Sequence, residues 1–150
     1  MLKWIDLPPV WLALFVALTW AQPVYLPMGL SFGGTWADFA GGLLVGGGLV
    51  LMALAFVEFR KARTTVIPHR MPSSIIQSGI FSRTRNPIYL GDALVLAGII
   101  LRADAVLALP LVPIFFWVIE KRFITGEEDR MRREFKAEFA RYEQKVRRWI

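Results

Sequence analysis

Apolar residues along this chain fall into four long blocks, at about 8–26, 36–59, 87–101 and 105–123, separated by short polar or proline-rich stretches. A helix rises 1.5 Å per residue, so about 20 residues cross the hydrocarbon core of a bilayer. The third block is short for a full crossing, and is shallow, tilted or extended by its neighbours. The tight turn Arg102-Ala103-Asp104 joins the third and fourth blocks into a helical hairpin. Beyond the fourth block the pattern becomes amphipathic. Met131, Phe135, Phe139, Tyr142, Val146 and Trp149 recur at three- and four-residue steps, with Arg132, Arg133, Lys136, Arg141, Lys145 and Arg148 filling much of the remainder. Thr125 and Glu128 have capping-box spacing, which predicts a helix over 126–149. Its apolar stripe lies against the membrane or the bundle, and its basic side faces lipid phosphates.

The fold class this pattern predicts is all-α and integral to a membrane. About four transmembrane helices form a bundle, the last pair a hairpin, followed by the C-terminal interfacial helix, all in one domain over 1–150. Composition agrees: 55% of the 150 residues are hydrophobic and mean hydropathy is +0.47, above the roughly 45–50% apolar share of soluble domains. Met1 to Gln22 loosely resembles a signal peptide, but Pro8-Pro9 interrupts it and no clear cleavage pattern follows, so it reads as a retained first span. The second block carries Gly41, Gly42, Gly46, Gly47 and Gly48; Gly42 and Gly46 form a small-xxx-small pair suited to helix packing within the chain. A nucleotide-loop reading of these glycines fails because they lie inside an apolar span rather than between a strand and a helix.

Charge sets the orientation. Lys3, the loop 60–86 and the tail from Lys121 hold 17 of the 18 Lys and Arg residues, and only Arg102 lies on the other side. Positive-inside bias then puts both termini, the loop and the tail in the cytoplasm of a multi-pass protein, with a prokaryotic cytoplasmic membrane as its setting. The formal charge of +6 signals contact with anionic phospholipid headgroups rather than with nucleic acid. The absence of cysteine and the single His69 exclude disulfides, a cysteine nucleophile and a His- or thiolate-based metal site.

Two polar clusters meet at that cytoplasmic surface: Arg85-Asn86-Pro87-Ile88-Tyr89-Leu90-Gly91 and Glu127-Glu128. Topology alone accounts for the first, with Asn86 as N-cap, Pro87 at the first helical position, Arg85 as an anchor and Tyr89 in the aromatic belt. The functional account gives Arg85 a bidentate fork for a carboxylate and lets Gly91 admit a flat ring close to the backbone. Glu127 and Glu128 suit the start of a helix, yet capping needs only one of them. Asp92 lies inside the third apolar block, where a charge costs about 2.5–3.5 kcal/mol on insertion scales; site and structural roles remain open for it. His69, between Pro68 and Arg70, reads as a solvated loop residue.

The ordered series Thr65-x-x-Pro68, Gly79-x-Phe81, Thr84-Arg85-Asn86-Pro87-x-Tyr89-x-Gly91, an apolar hairpin, Glu127-Glu128, Phe135, Tyr142 and Val146-Arg147-Arg148-Trp149 resembles the isoprenylcysteine carboxyl methyltransferase family, with the related phospholipid methyltransferases. The likeness covers roughly Thr64 to Ile150. It implies an integral membrane enzyme that takes S-adenosylmethionine without a Rossmann domain and methylates a lipid-embedded or lipophilic carboxylate, amine or thiol. By resemblance Arg85 and Glu128 are catalytic, and Asn86, Tyr89, Gly91, Glu127 and Glu128 bind the cofactor. Many relatives have His at Asn86, Gly at Lys136 and Tyr at Phe139, and the N-terminal half here is short. Two other classes compete: an NADPH-dependent membrane reductase of related architecture, and a non-enzymatic bundle binding anionic lipid.

Overall fold

In a computed structural model that describes residues 5–64 and 72–150, the chain is helical and the described residues contain no strand. Six α-helices follow in order: α1 (Pro8–Tyr25), α2 (Thr35–Ala62), α3 (Pro87–Arg102), α4 (Leu111–Ile119), α5 (Thr125–Phe135) and α6 (Ala137–Lys145). Short 3₁₀ turns occupy Gly79–Ser82 and Val106–Ala108, and a π turn occupies Glu120–Ile124. Thr65, Pro68 and His69 lie outside the described residues.

Among the described residues one helix, α2, is long and apolar enough to cross a membrane. Its 28 residues amount to about 42 Å at 1.5 Å per residue. Only 17% of its most apolar window is buried, so Leu43, Leu49, Val50, Leu54 and Phe56 present a hydrocarbon surface that water does not favour. The expected boundaries hold for α1, α2 and α3, but the fourth block departs from expectation. Instead of one helix over 105–123, a 3₁₀ turn precedes the nine residues of α4, and the π turn then leads without a break into α5. Of the four blocks, the third forms a helix of 16 residues and the fourth an α-helix of nine.

The α2–α3 pair is an antiparallel hairpin set by glycine. A Cβ on Gly41 would sit 2.6 Å from the Gly98 carbonyl, and one on Gly48 would sit 2.5 Å from that of Gly91. The contacts are reciprocal, since a Cβ on Gly98 or Gly91 would meet the Gly41 or Gly48 carbonyl at 2.5 and 2.6 Å. Backbones this close gain dispersion contacts that larger side chains forbid. The packing pair is thus Gly41 and Gly48, seven apart, and not Gly42 and Gly46. Gly46 has nothing within 4 Å, and Gly42 meets only the Arg102 guanidinium at 3.4 Å. Gly91 belongs to this seam, where its missing side chain serves helix packing.

α1 lies against α3 and α4, with Phe15 edge-on to Phe115 at 5.3 Å. Leu96, Ile100, Phe115, Ile119, Phe123 and Ile124 fill the core beside it. Asp6 ties the start of α1 to the π turn: Arg122 donates to its two oxygens at 3.0 and 2.9 Å and stacks over Trp11 at 5.0 Å.

The capping box does not form. Thr125 has helical φ and ψ and donates back to the Lys121 carbonyl at 3.3 Å, because the helix enters from the π turn already wound. Nor is 126–149 one helix. Lys136, at φ 49° and ψ −119°, breaks it, and Val146 is extended. Only glycine takes a positive φ with such a ψ without steric cost. Lys136→Gly is expected to stabilise the protein by about 1 kcal/mol, read as a raised midpoint of thermal unfolding in detergent. Gly48→Ala is expected to destabilise it by about 1–3 kcal/mol through overpacking, seen in the same measurement.

Candidate functional site

The loop before α3, the start of α3, α5 and α6 converge on a cavity of ≈ 540 Å³, within the usual range of about 300–1,000 Å³ for small-molecule sites. Arg85, Asn86, Tyr89, Asp92, Glu127 and Glu128 line it with apolar and aromatic side chains, among them Phe81, Met131, Phe139 and Tyr142. Five of the six site residues read from the sequence therefore meet here; Gly91 faces α2.

The π turn explains how the acidic pair reaches the cavity. Buried residues step from Phe115 to Ile119 at helical spacing, and then both Phe123 and Ile124 are buried before Glu128. One residue is absorbed in the wider turn, which resets the face of the helix that follows. Glu127 and Glu128 then point to different partners. Tyr89 donates its hydroxyl to Glu127 at 2.7 Å, so the tyrosine is buried and bonded rather than set in an aromatic belt. Glu128, 6% exposed, accepts two bonds from Arg148 at 2.9 and 2.8 Å, with Arg132 at 3.4 Å.

Arg148, read from the sequence as part of a basic face and of the family series but not as a site residue, holds the site together. Its guanidinium also reaches Glu120 of the π turn at 3.0 Å. Its carbonyl accepts from the Asn86 amide at 3.0 Å and the Thr84 hydroxyl at 3.3 Å, while the Arg85 backbone N–H donates to the Arg147 carbonyl at 3.1 Å. Asn86 is therefore not a side-chain N-cap of α3; it fastens the tail. Tyr142 adds a bond from its hydroxyl to the Phe81 carbonyl at 2.6 Å, and burial pushes its pKa up. Trp149 stacks edge-on against Phe116 at 4.7 Å. The apolar stripe of the tail thus faces the protein itself, with Phe139, Tyr142 and Val146 packed on Ile75, Met131 and Phe135.

Arg85 is the exception to this saturation. Its Nη1 lies 3.4 Å from Glu128 and 3.3 Å from Glu143, close enough for attraction, yet Nε and Nη1 are buried without a hydrogen-bond partner. A buried donor left unmade is costly, and this one lines the cavity.

Glu143 completes the network. Arg132 donates to its two oxygens at 2.9 Å each, and that bonding, together with the charges of Arg132 and Arg85, holds its carboxyl below the usual range. For a lowered pKa the stabilising contribution is complete above the ordinary Glu value of about 4.3 and disappears as pH falls through the lower, folded value. Thermal stability is accordingly expected to be flat near neutrality and to fall on acidification below about pH 4, with a shallower fall in Glu143→Gln.

The described residues form a helical bundle with one exposed helix long and apolar enough to cross a membrane and a cavity lined by polar and aromatic side chains. The phospholipid methyltransferase family model matches residues 36–138, more than half of the chain, and the chain belongs to that family. Its members are methyltransferases associated with membranes, and S-adenosylmethionine is their general methyl donor. Searches of curated proteins and of solved structures return no match.

Proposed function

We propose that this protein transfers the methyl group of S-adenosylmethionine to a lipid-embedded or lipophilic acceptor, and that the cavity below α3 is where the two meet. The observation that carries this reading is the Arg85 guanidinium, whose buried Nε and Nη1 make no hydrogen bond although Nη1 lies near Glu128 and Glu143, in a cavity that also holds carboxylates and aromatic walls. A zwitterionic amino acid joined to a flat ring suits that donor set: a guanidinium for its carboxylate, carboxylate oxygens for its ammonium or ribose hydroxyls, and Phe81, Tyr89 and Phe139 for the ring.

The bound cofactor supplies an electrophilic methyl on a cationic sulfur. Arg85 orients the methionyl carboxylate. Glu127 and Glu128 face the ammonium or ribose, with Glu127 aligned by Tyr89 and Glu128 by Arg148. Asn86 fixes the tail that closes the cavity. Apolar walls exclude water, and positioning carries most of the rate gain in such an in-line displacement. Acceptors arrive from the lipid beside α2. In this reading the chain is multi-pass with both termini cytoplasmic, and exposed Arg133, Lys136, Arg141, Lys145 and Arg147 rest on anionic headgroups. Arg132 and Arg148 are committed internally.

Calorimetry with S-adenosylhomocysteine on detergent-purified protein tests the site. Arg85→Ala is expected to weaken binding by about tenfold or more, the scale of a charge-assisted hydrogen bond at about 1.5–3 kcal/mol, with thermal unfolding still cooperative. Unchanged affinity in Arg85→Ala would place the cofactor elsewhere.

A further inference from the structure

Asp92 has no task in the arrangement described so far. It sits three residues beyond Tyr89 on α3, is 6% exposed and lines the same cavity. Apolar residues of the same cavity include Pro8, Met52 and Ile88, and among the described residues no donor or cation pairs with its carboxyl. Water satisfies a charge at a helix surface; a carboxyl enclosed by apolar walls is retained where it does something.

Methyl transfer requires a free lone pair on the acceptor. An ammonium or a thiol enters with a proton on that atom, and a base must remove it. The other polar groups on the cavity wall are poor bases. Glu127 already accepts from Tyr89, and Glu128 from Arg148; Arg85 and Arg130 are cations, and Asn86 has no basic atom.

Resting on the cofactor reading above, we propose that Asp92 is the catalytic base of the transfer, and that the acceptor reacts through an atom that arrives protonated, not through a carboxylate. The acceptor's N–H or S–H bond breaks and an O–H bond forms on Asp92. The freed lone pair then forms the new bond to the methyl carbon while the carbon–sulfur bond breaks and its electron pair stays on sulfur. Charge balances for an ammonium acceptor: the methylated amine leaves as a cation, Asp92 is neutral and the sulfur has lost its charge. The proton then departs to water as product leaves.

Decylamine, decanethiol and decanoate serve as probes with labelled S-adenosylmethionine and the detergent-purified full chain. Label is expected in the amine or the thiol, which also tells those two sources apart. Asp92→Asn is expected to lower that transfer by about 100-fold, the usual scale of general-base catalysis, with S-adenosylhomocysteine affinity unchanged and partial rescue by Asp92→Glu. A binding readout stands beside activity: with S-adenosylhomocysteine present, decylamine binds about tenfold tighter than decanol in the unmodified protein, and Asp92→Asn removes that preference. Methyl decanoate as the labelled product, wild-type transfer by Asp92→Asn, or an amine preference that survives the substitution overturns the role of Asp92. Failure of the unmodified protein to bind S-adenosylhomocysteine overturns the cofactor reading instead.

Discussion

The bidentate contact between Glu128 and Arg148 is the constraint on which the site depends. It brings the tail back across 20 residues to the start of α5, at 2.9 and 2.8 Å, in a place where the carboxylate is almost wholly buried. An ion pair with one buried member is not in itself a large source of stability, because desolvation offsets most of the attraction. What it fixes is geometry. With Arg148 held, its carbonyl faces Asn86 and Thr84, Glu120 is drawn in from the π turn, and the basic loop before α3 has a backbone partner in Arg147. The cavity has a wall on that side because these contacts close together.

This dependence explains why the two acidic residues, adjacent in sequence, have different neighbours. A continuous α-helix from α4 would carry them to another face. The π turn at Glu120–Ile124 costs some hydrogen-bond regularity, and in return it puts Glu127 beside Tyr89 and Glu128 beside Arg148. Core-facing and cavity-facing requirements are thereby separated along one rod: α4 serves the apolar core, and α5 serves the polar cavity.

Much of this was readable in the sequence, and the failures have specific causes. The apolar blocks predicted α1, α2 and α3 to within a few residues because hydrophobic runs bounded by proline and charge are strong signals. Arg85, Asn86, Tyr89, Glu127 and Glu128 were picked out together because their order along the chain is informative, and they do line one cavity. The packing role of Gly91 was not readable, since the residue that needs its small size is Gly48, a contact that depends on register between two helices. The capping box at Thr125 failed because the chain reaches Thr125 already wound, through the π turn. Arg148, Glu120 and Glu143 were missed as site residues for a related reason. Charges on an amphipathic helix look solvent-facing until the tail is known to fold back, although Arg148-Trp149, an arginine beside a large aromatic, is the kind of pairing that hints at burial.

The hydrogen bonds from Arg85 and Asn86 to Arg147 and Arg148 have a consequence for biogenesis. Chains are made from the N-terminus, so α2 and α3 are available to pair along their glycine seam before the residues that close the cavity have been synthesised. Pairing of α2 with α3 and completion of the pocket are therefore separate events. A nascent chain with α2 and α3 already paired has no enclosed cavity until Arg148 has been made.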